Sequence, residues 1–271
     1  MKKFISRTVI AVSVLLAVIP AGQAYAQDNT SNDLPALRVF QAAGPTVASI
    51  RSTVDDFRAA LGEPNNANNP GPLASGRREI NWDGGGATVT TPAPTPFTGF
   101  LNRGALLATL GTGFVQAPLD GLVTTFGNPT YDDIFQTFSP VRLFSPVGSN
   151  FTEVDFFVPG AGNIPARVTG FGAVFTDVDQ PDGSVVGKKS TTKPSTLIEY
   201  FAANGNLLFS SSVPPSPGDA SLSFFGIVFD RPRIARVRIT TGDVAPGPDD
   251  TRKTDIVMMD DFIYGEPQAV P

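Results

Sequence analysis

Residues 197–209 read Leu-Ile-Glu-Tyr-Phe-Ala-Ala-Asn-Gly-Asn-Leu-Leu-Phe. Two short apolar runs flank Asn204-Gly205, and both residues of that pair tolerate the positive φ that a tight type I′ hairpin turn requires. Further on, Ala235, Val237 and Ile239 alternate with Arg236 and Arg238, the period-two pattern of a strand with one dry and one wet face. Short apolar segments recur at 121–126, 140–144, 153–158, 167–176, 196–202, 206–211, 222–229, 234–240 and 255–264, separated by turn residues. No helical pattern intervenes, so the expected class is mainly β, a jelly-roll-like β-sandwich. The chain's 27 Gly and 25 Pro, scattered between the runs, suit many strands joined by turns.

Upstream, the spacing predicts one helix over residues 45–61. Val47, Ile50, Val54, Phe57 and Leu61 form one apolar stripe, while Arg51, Asp55, Asp56 and Arg58 fall mainly on the other side. Pro45 suits its first turn, and Gly62 with Pro64 ends it. The expected organisation is therefore an export segment at 1–26, a helix with irregular chain at 27–96, and a β-sandwich domain at 97–271.

The export segment rests on Lys2, Lys3 and Arg7, an apolar run from Thr8 to Ile19, and Ala24-Tyr25-Ala26 as a small-x-small cleavage signature. The run is about a dozen residues, short of the roughly 18–20 that span a bilayer. The expected location is secreted or periplasmic, after cleavage near Ala26.

Composition narrows the chemistry. With no Cys and no His, disulfides, thiolate metal sites, imidazole acid–base chemistry and Ser-His-Asp catalysis are all excluded. The formal net charge is −5, and −8 for residues 27–271, which argues against a phosphate-backbone partner. The 21 Phe can supply the core that disulfides do not.

Three motifs stand out: Gly76-Arg-Arg-Glu-Ile-Asn-Trp-Asp-Gly84, Gly170-Phe-Gly-Ala-Val-Phe-Thr-Asp-Val-Asp179 and Met259-Asp-Asp-Phe-Ile-Tyr-Gly265. Together they resemble an uncharacterised family of secreted bacterial proteins. Residues 140–265 also look like the jelly-roll sandwiches that include carbohydrate-binding modules. The resemblance implies export and a sandwich fold; that fold hosts many ligands, so it says little of which one.

Asp177, Asp179 and Asp182 lie on a loop ending in Gly183, as calcium would use them, although the spacing is not that of an EF-hand. The other reading is an Asp-rich surface turn. Asp260 and Asp261 interrupt an apolar run, so at least one should be buried against an arginine (Arg231, Arg233, Arg236 or Arg238) or share a metal with the Asp177 loop. Arg78, Asn81, Trp82 and Asp83 offer an aromatic face with planar polar neighbours, the elements of a sugar site. Glu79 with Asp83 is the one compact carboxylate pair for glycoside hydrolysis, but the adjacent Arg77 and Arg78 oppose a proton-donor role.

These residues lead to an expected non-catalytic binding protein outside the cytoplasm, taking a glycan or cell-surface component, with a structural calcium. Two alternatives stand beside it: a carboxylate-based glycoside hydrolase, and an extracellular structural protein without a small ligand. An open groove lined by Trp82 would favour binding, facing carboxylates in a cleft the hydrolase, and a flat surface with a buried Trp82 the structural reading.

Overall fold

A computed structural model describes residues 36–179, 195–248 and 254–270. The segment 1–26, Asp182, Asp249 and Asp250 lie outside the described residues. The chain enters through β1 (Leu37–Gly44), α1 (Val47–Leu61), β2 (Arg77–Ile80) and β3 (Thr91–Ala93). It continues through β4 (Ala105–Ala108), β5 (Gly113–Ala117), α2 (Leu119–Phe126), α3 (Tyr131–Ile134), β6 (Leu143–Val147) and β7 (Phe151–Phe156). Then follow β8 (Ala166–Arg167), β9 (Gly170–Thr176), β10 (Leu197–Phe201), β11 (Leu207–Ser212), β12 (Leu222–Phe229), β13 (Arg236–Thr240), β14 (Met258–Gly265) and β15 (Gln268–Ala269).

The class is mainly β, with antiparallel sheets packed together and an early helix. The larger sheet runs β1-β12-β9-β14-β6-β5-β3, with β2 also paired to β14, and the second runs β11-β10-β13-β7-β4. Between them lies a core of Trp82, Phe114, Phe144, Phe171, Phe175 and Phe225 from the larger sheet's side, facing Leu107, Val154, Phe156, Ile198, Tyr200 and Val237.

Burial explains the two kinds of strand. In β10, β13 and β7 buried and partly exposed residues alternate, because water meets the outer face of the second sheet. In β9, β12 and β14 every residue is buried, because the larger sheet is covered on both faces, as continuous apolar runs demand. Helix α1 is one of the covers. Its Ile50, Val54, Phe57 and Leu61 pack on Val174, Leu222, Phe224, Val228 and Ile263. Gly226 of β12 pairs with Gly172 of β9, and a Cβ on either would stand within 3.0 Å of the Phe57 ring. The two glycines form the notch that seats this side chain.

Several expectations are corrected. Residues 121–126, expected as a strand, belong to α2. Leu119, Leu122, Val123 and Phe126 are helically spaced, and Gly127, at φ 69°, caps the end by donating to the Val123 carbonyl. The β-branched Val123, Thr124 and Thr125 made the segment look extended. The expected helix forms, over Val47–Leu61, but the chain around it is not irregular throughout. Its residues supply β1, β2 and β3 to the larger sheet, and the described residues fall in one compact unit. The hairpin at Asn204-Gly205 exists, with Tyr200 opposite Phe209. Its turn is not type I′. Only Gly205, at φ 82°, is left-handed, and Ala202 exchanges bonds with Gly205 and Asn206, which makes a three-residue loop with a left-handed glycine at its end.

Candidate functional site

The three motifs meet in space. Strand β2 lies antiparallel to β14, with Ile80 opposite Phe262 and Glu79 opposite Ile263. On its other side β14 pairs with β9 through a bulge: Met259 faces Phe175 and Phe262 faces Ala173, so one extra residue falls between them. A bulge re-aims the side chains it carries, and here those are Asp260 and Asp261.

Asp260 is fully buried, and its Oδ2 accepts from the Phe138 amide at 2.6 Å. The Ser139 hydroxyl lies 3.1 Å from Asp260 Oδ1 and 2.6 Å from Asp261 Oδ1. Asp261 Oδ2 also accepts from Arg58 Nη2 at 3.1 Å, and the same nitrogen donates to Glu79 Oε2 at 3.0 Å. Glu79 Oε1 takes Arg77 Nε at 2.6 Å, and Arg103 Nη1 donates to the Glu79 carbonyl at 2.6 Å. These groups wall a cleft of about 330 Å³ lined by Arg58, Asn65, Glu79, Asn81, Arg103, Ser139 and Asp261.

Burial pushes the Asp260 carboxyl well above the usual carboxylate range, and the neighbouring Asp261 charge adds to it. Burial also raises Asp261, against the pull of Ser139, Asp260 and Arg58. The two carboxyl groups share the Ser139 hydroxyl, which lies between them. The cleft therefore has the buried Asp260 carboxyl behind one wall and two carboxyl groups, Glu79 and Asp261, joined by Arg58 at its lining.

The expected ligand residues are placed differently from one another. Trp82 is 2% exposed and is a core anchor. Its indole stacks on Phe144, with centroids 3.8 Å apart and planes within 6°, and its Nε1 donates to the Asp260 carbonyl at 2.9 Å. It cannot serve as a stacking platform, because both its apolar body and its one donor are committed inside. Arg78 is fully buried and clasps Glu266 through Nε and Nη2 at 2.7 and 2.8 Å. Asp83 accepts from the Val141 and Arg142 amides through Oδ1 at 2.6 and 3.0 Å, and from Asn81 Nδ2 through Oδ2 at 3.0 Å. Of the four, Asn81 alone lines the cleft.

Among the described residues the expected metal ligands are not brought together. Asp260 accepts from Phe138 and Ser139, and Asp261 from Ser139 and Arg58, while Asp179 Oδ1 accepts from the Gly218 amide at 3.0 Å. Asp177 is buried at the end of β9 in a left-handed conformation, φ 67°, and Asp182 lies outside the described residues. Among the described residues no three acid groups gather closely enough to hold a cation. The buried pair's arginine is Arg58, not one of Arg231, Arg233, Arg236 or Arg238. Arg236 and Arg238 pair instead with Asp155 and Glu153 on β7. Nothing in the sequence pointed to Ser139 or Arg103, and Arg58 showed only as a charge on the wet side of a helix.

Asp179 does influence another carboxylate. Burial pushes Asp255 up to about 7; the Ser195 hydroxyl opposes the shift, and the charges of Asp179 and Asp243 add to it. A carboxyl raised on folding binds its proton more tightly in the folded state, so its contribution to stability is complete below the unfolded value near 3.9 and declines as pH rises through the folded one. Stability should fall between about pH 4 and about pH 7, and Asp255→Asn should flatten that fall. Urea midpoints across the range check this; parallel wild-type and variant profiles would contradict it.

Comparison with protein-family models, curated proteins and solved structures found no match to the chain, so the resemblance carried by the three motifs identifies no family, and the class stands on the strands themselves.

Proposed function

We propose that this is an exported, non-catalytic binding protein on a jelly-roll-like sandwich, and that it holds a polyhydroxylated ligand, a glycan, in the cleft of Arg58, Asn65, Glu79, Asn81, Arg103, Ser139 and Asp261. The leader-like residues 1–26 and the motif resemblance support export. The single observation that carries the binding reading is the make-up of the cleft: two guanidinium groups, two carboxamides, two carboxyl groups and a hydroxyl around about 330 Å³. Planar donors and acceptors converging on a small concavity suit the paired hydroxyls of a sugar ring. This reading differs from the Trp82 platform in that hydrogen bonds, not stacking, carry recognition.

A hydrolase reading has one specific observation in its favour. Glu79 and Asp261 both contact Arg58 Nη2, at 3.0 and 3.1 Å, so two carboxyl groups face one another in the cleft, the kind of pair a glycosidase uses. Against it, Arg58 occupies the place between them, and Glu79 is held as an acceptor by Arg77 as well.

Glycan-array binding is the test. Asn81→Ala, at an exposed residue whose one side-chain bond is to Asp83, should weaken binding about tenfold, equivalent to about 1.4 kcal/mol. Absence of binding across the array would overturn the reading. Polysaccharide hydrolysis abolished by Glu79→Gln in a folded protein would establish the rival.

A further inference from the structure

Three arginines elsewhere on the molecule meet around a second concavity. Arg167 ends β8, and Arg231 and Arg233 precede β13 on the segment Arg231-Pro232-Arg233. Main-chain bonds hold the two segments side by side: the Arg233 and Ile234 amides donate to the Val168 carbonyl, and the Val168 amide donates to that of Ile234. Across from them stands the turn between β10 and β11, where Ala202 and Ala203 leave room and Asn204 adds a carboxamide. Together with Leu208 and Pro232 these residues line a depression of about 430 Å³.

The charge in it is uncompensated. Arg58, Arg77, Arg78, Arg236 and Arg238 each pair with a carboxylate. Arg167, Arg231 and Arg233 make no ion pair among the described residues, and the Nε atoms of Arg167 and Arg233 are buried without a hydrogen-bond partner. No acidic residue lines the depression, in a chain whose formal charge is −5. Three guanidinium groups at one site repel one another, and the Nε donors of Arg167 and Arg233 go unanswered. A tetrahedral oxyanion answers both, because its oxygens accept the paired N–H groups of the guanidinium fork and its charge offsets theirs.

We propose that Arg167, Arg231 and Arg233 form a binding site for a phosphate or sulfate group, separate in its residues from the cleft above. The volume exceeds that of a bare ion, so the group is an ester on a larger polar molecule such as a hexose.

Calorimetric titration of the full chain at constant ionic strength, kept with chloride, tests this. The probes are inorganic phosphate, inorganic sulfate, glucose 6-phosphate and glucose 6-sulfate, with glucose and acetate as controls. A saturable site for an ester, beyond any that glucose fills, tighter than for the inorganic ion and absent for acetate, is expected. Equal affinity for the ester and the free ion keeps the anion site but overturns the ester. Arg231 is exposed, so R231Q should fold as the wild type does, checked by thermal melting, and should bind at least about tenfold more weakly; R233Q should do the same. R238Q, whose arginine is paired with Glu153, should bind as the wild type does. The proposal is overturned if no oxyanion saturates the protein, if R231Q and R233Q both keep full affinity, or if R238Q weakens binding as much as they do.

Discussion

Replacing Arg78 by methionine is expected to destabilise the protein by about 3–5 kcal/mol, the loss typical of removing one partner of a buried ion pair. Arg78 is wholly enclosed, and besides Glu266 its guanidinium donates to the Ala67 and Asn102 carbonyls. Methionine keeps most of the stem's volume, so the loss is electrostatic. Glu266 would stay buried with only Asn66 Nδ2 and the Leu73 amide to answer it, and the two carbonyls would lose a donor. The pair as a whole is worth much less than this figure, because both ions were desolvated to make it. A second substitution, Glu266→Leu in the Arg78→Met background, should therefore recover much of the loss. Urea denaturation of the single and double variants measures both quantities. A loss below about 1 kcal/mol in the single variant would mean that water reaches Glu266.

Phe57→Ala should cost about 3–5 kcal/mol. The ring is fully buried, makes edge contacts with Phe40 and Phe224 at 5.4 and 5.2 Å between centroids, and fills the notch over Gly172 and Gly226. Alanine cannot refill that notch, because both floor residues lack side chains and the strands beneath them are held in register on both edges. Gly226→Ala attacks the same contact from below and should cost about 1–3 kcal/mol, as overpacking does. Equilibrium unfolding measures both. A change under about 1 kcal/mol for Phe57→Ala would show α1 to be loosely attached.

What was legible in the sequence was local. The stripe of α1, the alternation of β13 and the paired runs around Asn204-Gly205 each depend on neighbours a few residues apart, and each formed. Residues 121–126 misled because β-branched side chains outweighed a helical spacing that Gly127 completes. Strands β1 and β2 were missed because their partners are remote: Arg77–Ile80 reads as polar chain until β14 covers it, and the charges that look solvated are its buried ion pairs. The candidate site divided the same way. Burial of Asp260 and Asp261 could be read from the apolar residues on either side. Their partners could not, since Arg58 comes from 203 positions before Asp261 and Ser139 from a loop with no pattern. Trp82 shows the ambiguity of a single aromatic among polar neighbours, because Arg78 and Asp83, which suggested a ligand, turn inward to hold the fold.

The sheet pairings also say when this protein can fold. Strand β1 closes on β12, and β2 closes on β14, so the earliest strands find their hydrogen-bond partners only among the last. Every such closure spans most of the chain, which makes the search slow and leaves the nascent larger sheet open until residue 265 has been synthesised. Helix α1 can form early, but it has no surface to dock on before β9, β12 and β14 assemble. Folding of this topology is therefore completed after synthesis of the last strand, and until then the chain presents unpaired apolar strands that need shielding from one another. A ribosome-bound chain halted before β14 would remain open to protease throughout, whereas the released full chain would become resistant in a single late step.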